Sequence, residues 1–126
     1  MLQALFVYGT LAPGKENEHF LKPLLGRWQD AAIKGWHFPT GLKPTRGYPV
    51  VYIDDGYLGD RAENIPGKIF FSRQLNSIWK KLDKFEGEGY TRVITRARLK
   101  SGNYVDAYVY ALDNRYHVLA QKFLQL

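Results

Sequence analysis

The sequence predicts an α+β fold, or a partly closed small barrel, with helices flanking a mixed set of strands. Three observations predict it. About six short stretches have strand-like composition, one well-patterned helix stands among two shorter helical segments, and their order lacks the regular strand–helix alternation of a doubly wound parallel sheet. At 126 residues, with 45% hydrophobic and 15% aromatic composition, the chain can bury one core but is short for two. Residues 1–126 are therefore expected to form one domain.

Each element can be justified in order. Residues 3–8, Gln-Ala-Leu-Phe-Val-Tyr, are an apolar run stopped by Gly9, the pattern of a buried strand entering a loop. The same stretch from Met1 is broken by Gln3 and has no basic leader, so it reads as strand and not as signal peptide or membrane span. Asn17 is placed to cap a short helix reaching about Leu25. Trp28 to Phe38 is strand-like, followed by a loop rich in Gly and Pro from Pro39 to Pro49. Val50 to Ile53 is the next strand, ended by the turn signal Asp54-Asp55-Gly56, with 56–66 as loop. Ile65 to Phe71 is a strand that leads into the clearest helix, starting near Ser72. Leu75, Ile78, Leu82 and Phe85 recur there at helical spacing, with Arg73, Lys80, Lys81 and Lys84 mostly on the other side and Gly87 as the stop. Tyr90 to Leu99 and Tyr104 to Leu112 are two strands around the hairpin signal Lys100-Ser101-Gly102-Asn103, and Tyr116 to Leu124 closes as a short helical segment.

Composition narrows the function classes. There is no cysteine, and His19, His37 and His117 share no ligand-like spacing, so neither a disulfide framework nor a metal site is expected; with its first residues read as strand, the chain is expected in the cytoplasm. The net charge of +6 favours anionic partners, but the 18 basic residues are dispersed, with Lys80-Lys81 the one adjacent pair. Arg92, Arg96, Arg98 and Lys100 would line one strand face without any nucleic-acid-binding motif, so steering of a small anionic substrate is preferred to an RNA-binding barrel.

Glu86 breaks a local rule. It falls in the last turn of the best helix, where the backbone dipole presents partial negative charge and Lys or Arg is the ordinary choice. It also lies four residues after Leu82 and seven after Trp79, which turns it toward the buried stripe. Both effects raise a carboxyl pKa, and a residue placed against a local rule is where function is sought first. The alternative is a carboxylate ion-paired with Arg92 or a neighbour. Glu88 competes for the role but lies beyond Gly87, outside the stripe, and the three histidines read as structural or exposed.

Two segments, Phe6-Val7-Tyr8-Gly9-Thr10-Leu11 and Leu82-Asp83-Lys84-Phe85-Glu86-Gly87, resemble in order and separation the two signature motifs of the γ-glutamylcyclotransferase-like superfamily. In that family the second motif is followed by a Tyr-x-Arg strand, here Tyr90-Thr91-Arg92. Tyr48-Pro49, Gly67 and Ala107-Tyr108-Val109-Tyr110 extend the match over nearly the whole chain, while Lys68 and Phe70 depart from the family's Gly-Glu-(Leu/Val)-Tyr strand. The resemblance implies a small mixed-strand barrel with flanking helices that needs neither metal nor organic cofactor. It implies cleavage of a small γ-glutamyl compound to 5-oxoproline and a free amine or amino acid, with no nucleic-acid or membrane partner. Glu86 would be the proton acceptor, Tyr8, Gly9, Thr10 and Leu11 the substrate cradle, and Tyr110 a further substrate-binding residue, with Tyr90 and Arg92 in support. Arg92 would buttress Glu86 in preference to touching substrate, because a cation on the base lowers the pKa that needs raising. A non-catalytic binder of a small acidic metabolite is the alternative use of the same pocket.

These residue types suit the implied chemistry. The substrate's own α-amine attacks its γ-carbonyl, so no protein nucleophile is required, and holding the chain curled draws on effective molarities of roughly 10⁵ to 10⁸ M. What remains is a proton to remove and return. An α-amino group near about 8 and an ordinary Glu near about 4.3 are mismatched by roughly 5 kcal/mol, which a raised Glu pKa reduces. A glycine-containing loop can present main-chain N–H groups to the oxyanion and the α-carboxylate.

Overall fold

The computed structural model describes residues 3–53 and 58–124. Its strands are β1 (Ala4–Val7), β2 (Arg27–Phe38), β3 (Val50–Tyr52), β4 (Glu63–Phe71), β5 (Tyr90–Leu99) and β6 (Tyr104–Leu112); its α-helices are α1 (Trp79–Glu86) and α2 (His117–Leu124). Strands β2, β4, β1, β6 and β5 pair in that order, and β5 returns to β2, which closes five strands into a mixed barrel. The β1–β6 pair is parallel and the others are antiparallel. Closure depends on the length of β2: it pairs with β4 over Arg27–Gly35 and with β5 over Ala31–Ile33, and its end carries β3 through Trp36–Phe38. A closed ring leaves no long edge exposed.

The strand alternation sorts the core. In β1 Ala4 and Phe6 join Ile33, Ile69, Ala97, Ala107 and Val109 in one cluster to which all five barrel strands contribute, the barrel's filling. Leu5 and Val7 point the other way, into a second cluster with Phe70, Leu75, Trp79, Leu82 and Tyr110 beneath α1. A third joins Leu42, Val50, Tyr52 and Leu112 to Ala120 of α2. Gly67 makes room for β1, since a Cβ there would lie 2.5 Å from both the Phe6 ring and the Val7 carbonyl oxygen. No helix among the described residues is long and apolar enough to cross a membrane.

The two-strand hairpin of β5 and β6 and the mixed-barrel class match expectation. Three expectations are corrected. The helix after Asn17 is a single 3₁₀ turn, Glu18–Phe20, and Asn17 makes no side-chain cap bond; Pro23 lacks an N–H and disfavours helical backbone at Lys22, which stops propagation. The helix expected from Ser72 starts seven residues later. Ser72 Oγ accepts the Gln74 N–H at 3.0 Å, Ser77 Oγ donates to the Gln74 carbonyl at 2.7 Å, and Ile78 at φ −121°, ψ 0° separates a 3₁₀ turn from α1. Local side-chain bonds here displace the helical ladder. Residues expected as loop before Ile65 are already strand, because the long β2 supplies partners for Glu63 and Asn64 that their own propensity does not advertise. The turn signal Asp54-Asp55-Gly56 lies outside the described residues.

Candidate active site

At one mouth of the barrel a cavity of about 720 Å³ opens between the loop after β1, the end of α1, the start of β5 and the loop through Pro44–Pro49. Tyr8, Gly9, Thr10, Leu11, Glu86, Tyr90 and Tyr110 all line it. The chain leaving β1 carries the first four, and its parallel neighbour β6 runs in the same direction and brings Tyr110 to the same end. Helix α1 delivers Glu86 at its last position, and Gly87 at φ +82° then turns the chain into Gly89 and Tyr90. Gly89 admits the opposite loop: a Cβ on it would lie 2.6 Å from the Pro44 carbonyl oxygen.

Glu86 is half-buried while its neighbours Lys84 and Phe85 are exposed. Burial pushes its carboxyl up to about 7. Among the described residues no ion pair engages it; Arg92 pairs instead with Asp83, one turn earlier on α1, through Nε–Oδ1 at 3.0 Å and Nη2–Oδ2 at 3.3 Å. The Arg92 guanidinium also lies 4.5 Å from the Trp79 ring centroid and 4.7 Å from that of Tyr108, outside the cavity lining. The expectation that Arg92 buttresses Glu86 is thereby corrected, as is the alternative of a Glu86–Arg92 ion pair. Arg92 holds α1 through Asp83, and burial is the cause of the raised Glu86 pKa.

Three tyrosines surround Glu86. Tyr8 donates its hydroxyl to the Tyr110 main-chain oxygen at 2.5 Å, Tyr90 donates to the Pro49 carbonyl at 2.7 Å, and Tyr110 donates to Asp83 Oδ1 at 2.7 Å. Burial first, and the Glu86 charge among the further causes, pushes the pKa of all three phenols above the ordinary value. All three are therefore neutral at physiological pH and electrostatically coupled to the carboxylate. Burial alone would raise Asp83, but hydrogen bonds from Arg92 and Tyr110 hold it below the usual carboxylate range.

The loop after β1 is polarised. Its carbonyls at Gly9 and Thr10 accept from the Ala12 and Asn17 N–H groups at 3.2 and 2.9 Å. Among the described residues no backbone acceptor takes the N–H groups of Gly9, Thr10 or Leu11. A Cβ built on Gly9 meets no protein atom within 4 Å, so the approach to these donors is open. Free N–H groups in a tight loop favour anions. Across the cavity, buried Thr45 pins the facing loop: its Oγ1 accepts from the Leu42 N–H and lies 3.0 Å from the Leu42 and Tyr48 carbonyl oxygens.

Sequence reasoning missed Asp83 and the loop at Pro44–Thr45; His37, read as structural or exposed, packs its ring edge-on against Tyr8 at 5.7 Å. Asp83 had a readable signal, lying four residues after Trp79 and three before Glu86 on the same helical face. Among the described residues no group of three or more His, Cys, Asp or Glu side chains is arranged to hold a metal ion.

A family model described as gamma-glutamyl cyclotransferase, AIG2-like, matches residues 5–124. No match was found among curated proteins. Among solved structures, YkqA from Bacillus subtilis is 24% identical with a TM-score of 0.65; the match covers 97% of this chain and 43% of YkqA, so the chain spans less than half of that protein. An AIG2-like protein from Mus musculus is 21% identical with a TM-score of 0.63, covering 87% of this chain and 76% of the mouse chain. A protein from Arabidopsis thaliana is 20% identical with a TM-score of 0.63, covering 98% and 86%. These likenesses show the fold.

Proposed function

The chain belongs to the gamma-glutamyl cyclotransferase, AIG2-like family, and from that premise we propose that it converts a small γ-glutamyl amine or γ-glutamyl peptide to 5-oxoproline and a free amine, with Glu86 as general acid and base. The substrate's α-carboxylate and γ-carbonyl oxygen sit against the N–H groups of Gly9, Thr10 and Leu11. Glu86 takes a proton from the α-ammonium, the freed nitrogen attacks the γ-carbonyl carbon, and a new carbon–nitrogen bond closes the five-membered ring. When the tetrahedral intermediate collapses, the bond to the other nitrogen breaks, the proton returns from Glu86 to the departing amine, and the second proton still carried by the ring nitrogen passes to that amine or to water, which leaves the neutral lactam.

The observation that carries this reading is a half-buried carboxylate that, among the described residues, has no ion pair and shares its cavity with a loop whose N–H groups no backbone acceptor takes; burial pushes that carboxyl up to about 7. Against an α-amino group titrating near about 8, the mismatch falls from roughly 5 kcal/mol for an ordinary Glu to about 1.4 kcal/mol. Ring closure itself draws on the held geometry of one molecule.

The test is a panel of γ-glutamyl amines and peptides assayed for 5-oxoproline. Glu86→Gln is expected to lower kcat by at least about 10³-fold, the upper part of the range for a lost proton-transfer group, with KM changed only a few-fold. A wild type that releases 5-oxoproline from no member of the panel, or a Glu86→Gln variant with unchanged kcat, contradicts the proposal.

A further inference from the structure

The three hydroxyls around Glu86 have a definite polarity. A phenol owns one proton and two lone pairs. The Tyr8 and Tyr90 protons go to main-chain carbonyls, of Tyr110 at 2.5 Å and Pro49 at 2.7 Å, which can only accept. The Tyr110 proton goes to Asp83 Oδ1 at 2.7 Å. Asp83 is itself ionised and held by Arg92 at 3.0 and 3.3 Å, so it too can only accept. All three directions are imposed by the partner. What Tyr110 keeps for a ligand is its lone pairs, and Tyr8 and Tyr90 keep what the Val51 N–H and the Thr45 hydroxyl leave of theirs.

We infer that Tyr8, Tyr90 and Tyr110 act toward the ligand as hydrogen-bond acceptors, forming with Glu86 a subsite for an ammonium group, and that Asp83 is the positioning residue that enforces this polarity at Tyr110. The inference deepens the proposed cyclisation, on which it rests for the identity of the ligand. It divides the cavity into two walls. The acceptor wall of Glu86 and the tyrosines takes the α-ammonium; the donor wall of Gly9, Thr10 and Leu11 takes the carboxylate and carbonyl oxygens. A substrate so placed brings its amine to the base before any proton moves. None of the three tyrosines then serves as an oxyanion donor, which the number of phenols in the cavity would otherwise invite.

Binding, and not turnover, separates the two polarities. L-glutamate and glutarate have the same carbon chain and differ in the amino group, and neither has an amine to expel. The wild type is expected to bind glutamate at least about tenfold more tightly than glutarate, the scale of hydrogen bonds to a charged group. Tyr90→Phe and Tyr110→Phe should each weaken glutamate about five- to tenfold and leave glutarate within about twofold. Asp83→Ala is the sharper variant. With its acceptor gone, the Tyr110 phenol proton is free to turn toward the cavity, so glutamate should weaken while glutarate tightens, a crossing that loss of structure does not produce. Urea unfolding of each variant checks that it is folded.

Equal weakening of both ligands in the two Phe variants would make the tyrosines donors and overturn the inference. So would an unchanged glutamate-to-glutarate ratio in folded Asp83→Ala, or a wild type that binds the two equally or binds neither. Cyclotransferase activity fails separately: a wild type that prefers glutamate but releases no 5-oxoproline keeps the ammonium subsite and loses the reaction.

Discussion

At the scale of single residues the site is a trade of stability against chemistry, and Glu86 shows the sign. Its folded pKa of about 7 exceeds the unfolded value of 4.5, so the folded state holds the proton longer. The stability that the proton confers is fully present below about pH 4.5 and is lost as the pH rises through about 7. At about 1.36 kcal/mol per unit, the ionised carboxylate costs up to about 3 kcal/mol at alkaline pH. Glu86→Gln should therefore match the wild type in urea unfolding near pH 4 and exceed it by up to about 3 kcal/mol at pH 8.5; equal stability at both pH values would mean that the carboxyl is not desolvated. The place of Glu86 at the end of α1 and in the cavity lining was legible in the sequence because the residue breaks two local rules, dipole and helical phase, that need no tertiary knowledge. Asp83 was harder to see. Its role depends on Arg92 and Tyr110, which face each other across β5 and β6 and meet the helix only in the folded barrel.

At the scale of elements, α1 is eight residues, too short to be stable alone, and is kept by what it packs on. Trp79, Leu82 and the Asp83–Arg92 pair fasten it to the β5–β6 hairpin. The pair is partly exposed, with side chains 46% and 24% accessible, so the ion pair alone is worth at most about 1 kcal/mol. Stacking of the guanidinium over Trp79 and Tyr108 adds about 0.5–1 kcal/mol. Arg92→Ala is expected to lower unfolding free energy by about 1–2 kcal/mol, with a coupling to Asp83→Ala of about 1 kcal/mol in a double-mutant cycle; additive effects would contradict the clamp. The hairpin was readable to the residue because its turn is local, with Gly102 at φ +98° between two alternating strands. The start of α1 was not, because leucine and isoleucine spacing continues through Leu75 and Ile78 while serine hydroxyls capture the backbone.

At the scale of the whole molecule, closure of the barrel places the mouth residues, and closure turns on small side chains. Ala31, Ala97, Ala107 and Ala111 keep the filling narrow around Phe6, and Gly67 lets β1 approach β4. Gly67→Ala should cost about 1–3 kcal/mol, because its Cβ would lie 2.5 Å from the Phe6 ring and the Val7 oxygen. Gly9→Ala, with nothing within 4 Å, should unfold like the wild type and lose ligand affinity instead. Thermal unfolding of the two variants checks both statements. The class of fold was legible from element count and order, whereas the β2–β5 pairing of Ala31–Ile33 with Ala97–Leu99 was not, since no local signal marks contacts more than sixty residues apart. Glu86 stands where these scales meet, and its carboxyl can be titrated directly by carbon-13 NMR of glutamate-labelled protein, with Glu86→Gln assigning the resonance. A midpoint of about 7 is the predicted result; a midpoint near 4.5 would contradict the account of Glu86 as the buried proton acceptor.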